Sequence, residues 1–285
     1  MTARMSETPK PGPPSMDTNG LPDFEDPPVN ETVYSLQFAP LPAFSIPHFG
    51  LYWSRIRAEY GFFNVQPPVP ATTEQFTSTP LQGLPKFEFV MQPDVRCWFL
   101  NSSGTQLVQV QRDRFTFNWR QVEGSEKYPR YRVLREAFVA QWHAFTRFLS
   151  DESLGSPEVN QCEVSYINVV PYGKGWSGFG ELDKVIAPWS GQSSGDFLPP
   201  PERVRIELNY NLPDKLGRLH VQALPVVRAR DMTELLQITL TARGAPRSSS
   251  DDDVLAWIDL GREWVVKGFA DFTTNDMHRL WGRKR

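Results

Sequence analysis

Cysteine is nearly missing from this chain. Cys97 and Cys162 are the only two in 285 residues, and they form no C-x-x-C pair. That excludes a disulfide framework and a cysteine-based zinc site, and leaves two buried free thiols as the expectation. Histidine is as scarce. His48, His143, His220 and His278 are scattered and form no i, i+4 pair, so no metal centre is expected. No apolar run approaches the ~18 residues of a membrane span. The N-terminal residues carry no apolar signal-peptide core, so a cytoplasmic location without membrane contact is expected. Neither sign of charge prevails, because the formal net charge is -3. Affinity for nucleic acid or for any acidic partner must therefore come from a local patch. No P-loop, H-E-x-x-H or EF-hand loop occurs, and no cofactor is implied.

What the chain does have is apolar and aromatic material. Hydrophobic residues make up 40%, with nine Trp and nineteen Phe, enough for a sizeable core. Its first 28 residues hold seven of the 26 prolines and few apolar side chains. This composition predicts a disordered tail over 1–28, since little burial offsets the ordering entropy.

Beyond the tail the pattern predicts a strand over 31–39 and a helix started by Ser45 and Pro47. A proline-rich connection follows over about 64–85, then strands over 86–91, 95–101, 105–112 and 114–120, and a long helix over about 129–150. The same order then returns. A strand covers 161–170, a helix about 178–188, strands 203–211, 217–227 and 234–243, and a long helix 251–272 capped by Ser250. Thr274 is placed to cap a short last helix. Leu280 and Trp281 would be its apolar anchor and Gly282 its stop. The expected class is α+β. Two related halves, 29–152 and 153–282, each run strand, helix, three or four antiparallel strands, long helix, with a free basic end over 283–285. That element order is like the TATA-box-binding protein or the helix-grip ligand-binding folds, an analogy of fold that carries no function.

Two enzyme-like motifs are present. Gly173, Gly175 and Gly178 make a G-x-G-x-x-G between a strand and the helix expected over 178–188, the place of a dinucleotide loop. Pro171 and the bulky Trp176 argue instead for a glycine-rich turn. A G-x-S-x-G over 191–195 sits between proline-rich segments rather than between a strand and a helix, so it reads as a linker and not a nucleophile elbow.

The polar sides of the strands are the most informative pattern. Phe115, Phe117 and Trp119 alternate with Arg114, Thr116, Asn118 and Arg120. Val204, Ile206, Leu208 and Tyr210 alternate with Arg203, Arg205, Glu207 and Asn209. Arg218, His220 and Arg243 continue the outward set on the next strands. If helices cover the apolar sides, Arg114, Asn118, Arg120, Arg203, Arg205, Asn209, Arg218 and Arg243 share one exposed face. Arginine with Asn and Gln suits carboxylate, phosphate or base edges. The alternative is a plain solvated sheet face. The face lacks the apolar wedges of a minor-groove saddle.

Pro28-Val29-Asn30-Glu31-Thr32-Val33, the run from Gln106 through Phe117-Asn118-Trp119-Arg120, Tyr166-Ile167-Asn168 and the ending Leu280-Trp281-Gly282 resemble a sporadically distributed bacterial family of uncharacterised proteins. Patchy occurrence of that kind implies an accessory role, and no activity comes with it. The expected function is a non-catalytic binding or regulatory protein whose arginine face meets an acidic protein or a nucleic acid. The second expectation is a small-molecule or nucleotide site between sheet and helices.

Overall fold

The structure, a computed structural model, describes residues 20–76, 94–190 and 197–284. The strands are β1 (Val29–Phe38), β2 (Phe62–Gln66), β3 (Arg96–Leu100), β4 (Gln106–Gln111) and β5 (Arg114–Arg120). They continue with β6 (Val159–Pro171), β7 (Ile206–Asn211), β8 (Arg218–Arg228) and β9 (Thr233–Gly244). All nine form one antiparallel sheet in the order β2-β3-β4-β5-β1-β6-β9-β8-β7. The fold is α+β. β1 and β6 lie side by side at its centre, where Ser35 faces Glu163 and Leu36 faces Cys162. Each meander runs outward from this pair, so the sheet is continuous across the middle of the chain.

Three helices cover one face. They are α1 (Ile46–Ile56), α2 (Tyr131–Asp151) and α3 (Asp251–Phe272). α1 and α3 start, and all three pack, for visible reasons. Ser45 donates its backbone N–H to His48 Nδ1 at 2.9 Å, and Pro47 pre-sets the first turn of α1. Ser250 Oγ accepts from the Asp253 amide, and Asp251, Asp252 and Asp253 meet the positive end of α3. The buried stripe of α2, with Leu134, Phe138, Trp142, Phe145 and Leu149, follows helical spacing. It lies on Tyr34, Phe38 and Phe115; the Phe115 and Phe145 rings stack at 5.3 Å. Tyr52 of α1 reaches both Phe99 and Phe145. The stripe of α3, from Val254 through Ile258 and Val265 to Phe269, is likewise buried. Full burial of such a side chain contributes on the order of 1.5–3 kcal/mol, so this face dominates stability. Both thiols are buried within it, and burial pushes Cys97 up to about 11 and Cys162 higher still.

Several expectations change. Residues 21–28 are not part of a detached tail. Phe24 is 5% exposed, its ring edge-on to Phe269 and Trp281, because the N-terminal segment pairs with the chain end. The Glu25 amide donates to the Gly282 carbonyl at 2.9 Å, and the Lys284 amide to the Asp23 carbonyl at 2.8 Å. So residues 283–284 are held too, not free. The last helix, α4 (Asn275–Leu280), forms as expected with Thr274 accepting from the Met277 amide. Trp281 is its anchor, but Leu280 points outward at 54% exposure. Gly282 stops it at φ +66 with the Glu25 Cβ too near for a side chain.

The helix expected over 178–188 is only a 3-10 turn, Phe179–Lys184, whose irregular Glu181 cannot continue a helix. β2, which runs into the start of the connection expected over about 64–85, was not foreseen, because FFNVQ alternates on no buried face and its residues are mostly exposed. The strand expected over 203–211, β7, starts at Ile206 rather than at 203. The strand expected over 86–91 and the linker over 191–195 lie outside the described residues. Among the described residues no helix is long and apolar enough to cross a membrane.

Candidate functional site

The other face of the sheet is polar, and it is not bare. An extended segment, residues 67–76, crosses it from β4 to β8. The order P-P-V-P at 67–70 explains its shape, because each proline holds φ and pushes its predecessor into the extended region. Such a segment has no ladder partner, so its backbone groups need side-chain partners. The sheet supplies them as a row of amides. Gln111 accepts from the Val69 amide at 2.8 Å and donates back to the Val69 carbonyl at 2.9 Å. Gln37 accepts from the Thr72 amide at 2.8 Å, and Gln161 from the Glu74 amide at 3.4 Å. All three glutamines are buried. Arg114 Nη2 adds a hydrogen bond to the Pro70 carbonyl at 3.1 Å and one to Gln37 at 2.8 Å.

The segment ends on a carboxylate clamp. The Glu74 side chain is 6% exposed, and its oxygens receive Arg218 Nη1 at 2.9 Å and Arg243 Nη1 at 3.4 Å. His220 Nε2 lies 2.6 Å away, and its Nδ1 is held by Asn209 Oδ1 at 2.6 Å. Arg218 also donates to the Gln75 carbonyl and lies over the Phe76 ring at 5.3 Å. Burial works against the Glu74 charge. The hydrogen bond from His220 and the positive charges of His220, Arg243 and Arg218 outweigh it, so the carboxyl sits below its ordinary range. Cross-strand register makes this convergence possible. Arg218 stands opposite both Arg243 and Asn211, and His220 opposite Asn209, so the outward residues of three strands meet in one place.

The eight predicted residues divide into three groups. Arg218, Arg243 and Asn209 come together at Glu74. Arg114, Asn118 and Arg120 lie along β5. Asn118 is buried between Gln109 and Glu31, at 2.7 Å from each, while Arg120 donates to the Gly104 carbonyl and stands over Trp98. Burial raises the Glu31 carboxyl despite Asn118 and Arg120. Arg203 and Arg205 precede β7 at the end away from Arg218. They are exposed, and Arg203 lines a separate cleft of 460 Å³ with Phe179, Pro225 and Glu234. One continuous, exposed arginine face is therefore not what forms. Glu31, Glu74 and Glu163 stand among the arginines, and Glu163 holds Arg243 at 2.7 Å. Sequence reasoning missed Glu74 and the three glutamines. The outward position of Gln37, Gln111 and Gln161 beside a proline-rich connection was the available signal.

The glycine loop is filled by its own chain. Gly173 and Gly175 take φ +80 and +84, Trp176 is buried in the turn with its Nε1 on the Pro171 carbonyl, and a Cβ at Gly175 would meet Met277 Sδ at 2.6 Å. With a 3-10 turn behind Gly178, the loop has no long helix N-terminus to present to a phosphate. His143 is on the exposed side of α2, and His278 is buried against Thr273 and Phe24. Among the described residues no three His, Cys, Asp or Glu side chains gather in a metal-holding group.

Compared with protein-family models, curated proteins and solved structures, the chain matches none of them.

Proposed function

We propose that this is a non-catalytic binding protein whose polar sheet face takes an acidic protein segment in extended form. One observation carries the reading: Arg218, Arg243 and His220 converge on a single carboxylate at the end of an extended segment whose amides rest on sheet glutamines. The same donors suit a partner carrying an acidic residue beyond a proline-rich stretch, exchanging with residues 69–76. Covalent linkage gives the chain's own segment a high effective concentration, so a partner has to compete with it. Asn209, Arg114, Asn118 and Arg120 extend the track, and Arg203 and Arg205 contribute longer-range attraction from its periphery. A nucleic acid is the competing partner class.

The test uses a labelled peptide of residues 67–76 and the Glu74→Ala protein, in which the clamp is vacated. The peptide should bind at about 10–100 µM, more weakly with added salt, and at least tenfold more weakly to Glu74→Ala protein that also carries Arg218→Ala. Equal binding of a peptide without its glutamate, or tighter binding of a single-stranded oligonucleotide, overturns the reading.

A finer reading of the fold accompanies this. We infer that the two halves descend from one unit, an arrangement like the TATA-box-binding protein or the helix-grip folds. Its support is the central β1–β6 pair, the two outward meanders and a long helix after each on the same face. Against a strict repeat stand the fourth meander strand of the first half and the 3-10 turn in place of a helix in the second.

A further inference from the structure

On the helical side lies a cavity of 420 Å³. Its floor is Val29 of β1 with Tyr166 and Asn168 of β6. Its walls are the start of α2, the middle of α3 and residues 21–27, with Lys284 at the rim. Three tyrosines line it, and their hydroxyls are already engaged. Tyr128 and Tyr166 share a hydrogen bond of 3.0 Å, and Tyr131 bonds Asp259. What they offer the cavity is ring surface. The polar groups left over are of another kind. Arg262 lies with its guanidinium 4.6 Å from the Tyr131 ring centre, its Nε is buried without a partner, and it makes no hydrogen bond among the described residues. Asn168 is 2% exposed. Its Nδ2 donates to the Ile238 and Tyr166 carbonyls, which leaves Oδ1 without a hydrogen bond among the described residues. Arg132 and Lys284 also line it, and Asp23, the only carboxylate among the described lining residues, is turned to Arg130.

Arg262 is half-buried beside the cavity and makes no ion pair among the described residues, which keeps its guanidinium open to an anion. A cavity of this size suits a small molecule. Ring faces with a guanidinium beside them, three further cations nearby and an unused amide oxygen select a planar ring that carries an anionic group and a polar edge. We propose that this cavity binds a small anionic ring compound, its carboxylate or phosphate on Arg262, its ring against Tyr131 and Tyr166, and a ring N–H or amino group donating to Asn168. This site is on the opposite side of the sheet from the Glu74 clamp, and neither proposal depends on the other.

Isothermal titration of the full chain tests it with three arms: adenosine and uridine monophosphates, indole and nicotinate carboxylates, and adenosine with nicotinamide as uncharged counterparts. At least one anionic compound is expected to bind below about 300 µM, and its uncharged counterpart at least tenfold more weakly. Which arm binds distinguishes phosphate from carboxylate. Arg262→Gln should weaken that binding tenfold or more, and Val266→Trp, which fills the cavity from α3, should abolish it. Melting curves of both variants show that they are folded; Val266→Trp answers the question if Arg262→Gln does not fold. Binding of no anionic compound below about 300 µM, or binding unchanged in a folded variant, overturns the proposal.

Discussion

The two faces of this sheet are both covered, and by opposite means. On one, α1 and α2 lay rings on rings and α3 lays a largely aliphatic stripe, and the cover is held by area removed from water. On the other, residues 67–76 are held by three glutamines, Arg114 and the Glu74 clamp, a cover made of hydrogen bonds and ion pairs. Each net hydrogen bond there contributes about 1 kcal/mol, because water offers the same groups a near-equal alternative. The apolar cover therefore belongs to the folding transition. The polar cover can be exchanged at modest cost, and for that reason it is the face assigned to binding.

The comparison breaks first on the helical side. Phe145 is fully buried against Phe38, Phe44, Tyr52 and Phe115. Phe145→Ala should cost about 3–5 kcal/mol in urea denaturation. A loss below about 1 kcal/mol would show that the aromatic layer is not what stabilises the fold. The next largest effect belongs to the clasp between chain ends. Removing residues 1–27 takes away Phe24 and its packing on Trp281 and Phe269. The melting temperature should fall by roughly 5 °C or more, and Trp281→Ala should do the same. An unchanged transition would detach this segment from the core.

The polar face should respond weakly in stability and strongly in local order. Glu74→Gln is expected to cost about 1 kcal/mol or less, yet to speed amide exchange at Thr72 and Glu74 severalfold. The same release should follow acidification. The Glu74 carboxyl is held below its ordinary range, so its contribution is complete above that range and is lost as pH falls through the lowered value. After correction for intrinsic exchange rates, protection of these amides should drop on acidification in the wild type and show no such step in Glu74→Gln. The smallest effect is at the periphery. Arg203→Glu with Arg205→Glu should change stability by less than about 0.5 kcal/mol each, since both are exposed outside β7. Unfolding of this double variant would mean that the two side chains are structural.

Much of the frame could be read without coordinates. The α3 boundaries, 251–272, come straight from Ser250, three aspartates and a 3.6-residue stripe. The strands β3 to β5 and β7 to β9 come from alternation, β2 does not, and α4 comes from Thr274. The candidate site was legible only in part. Arg218, Arg243 and Asn209 were recognisable as outward-facing, but nothing in their spacing points to Glu74, which lies more than 140 residues before Arg218. The last residues of the expected tail, 21–28, were misread for a similar reason, while 1–19 lie outside the described residues. Phe24 alone among prolines has too little local apolar company to predict burial, and its partners, Phe269 and Trp281, come from the other end of the chain.

By itself, then, the sequence determined the long helices, most of the extended segments and which side of those strands is polar, but not β2 or the 3-10 turn over Phe179–Lys184. Those properties follow from nearest neighbours along the chain, through capping, φ restriction and period. Tertiary structure alone decided what lies on each side. It set the order that joins β1 to β6, the crossing of residues 67–76 over the glutamines, the meeting of Glu74 with two arginines and a histidine, and the cavity beside Arg262. Each depends on sheet register and on contacts between residues far apart in sequence, and a local pattern carries no information about which distant segment will satisfy a buried polar group.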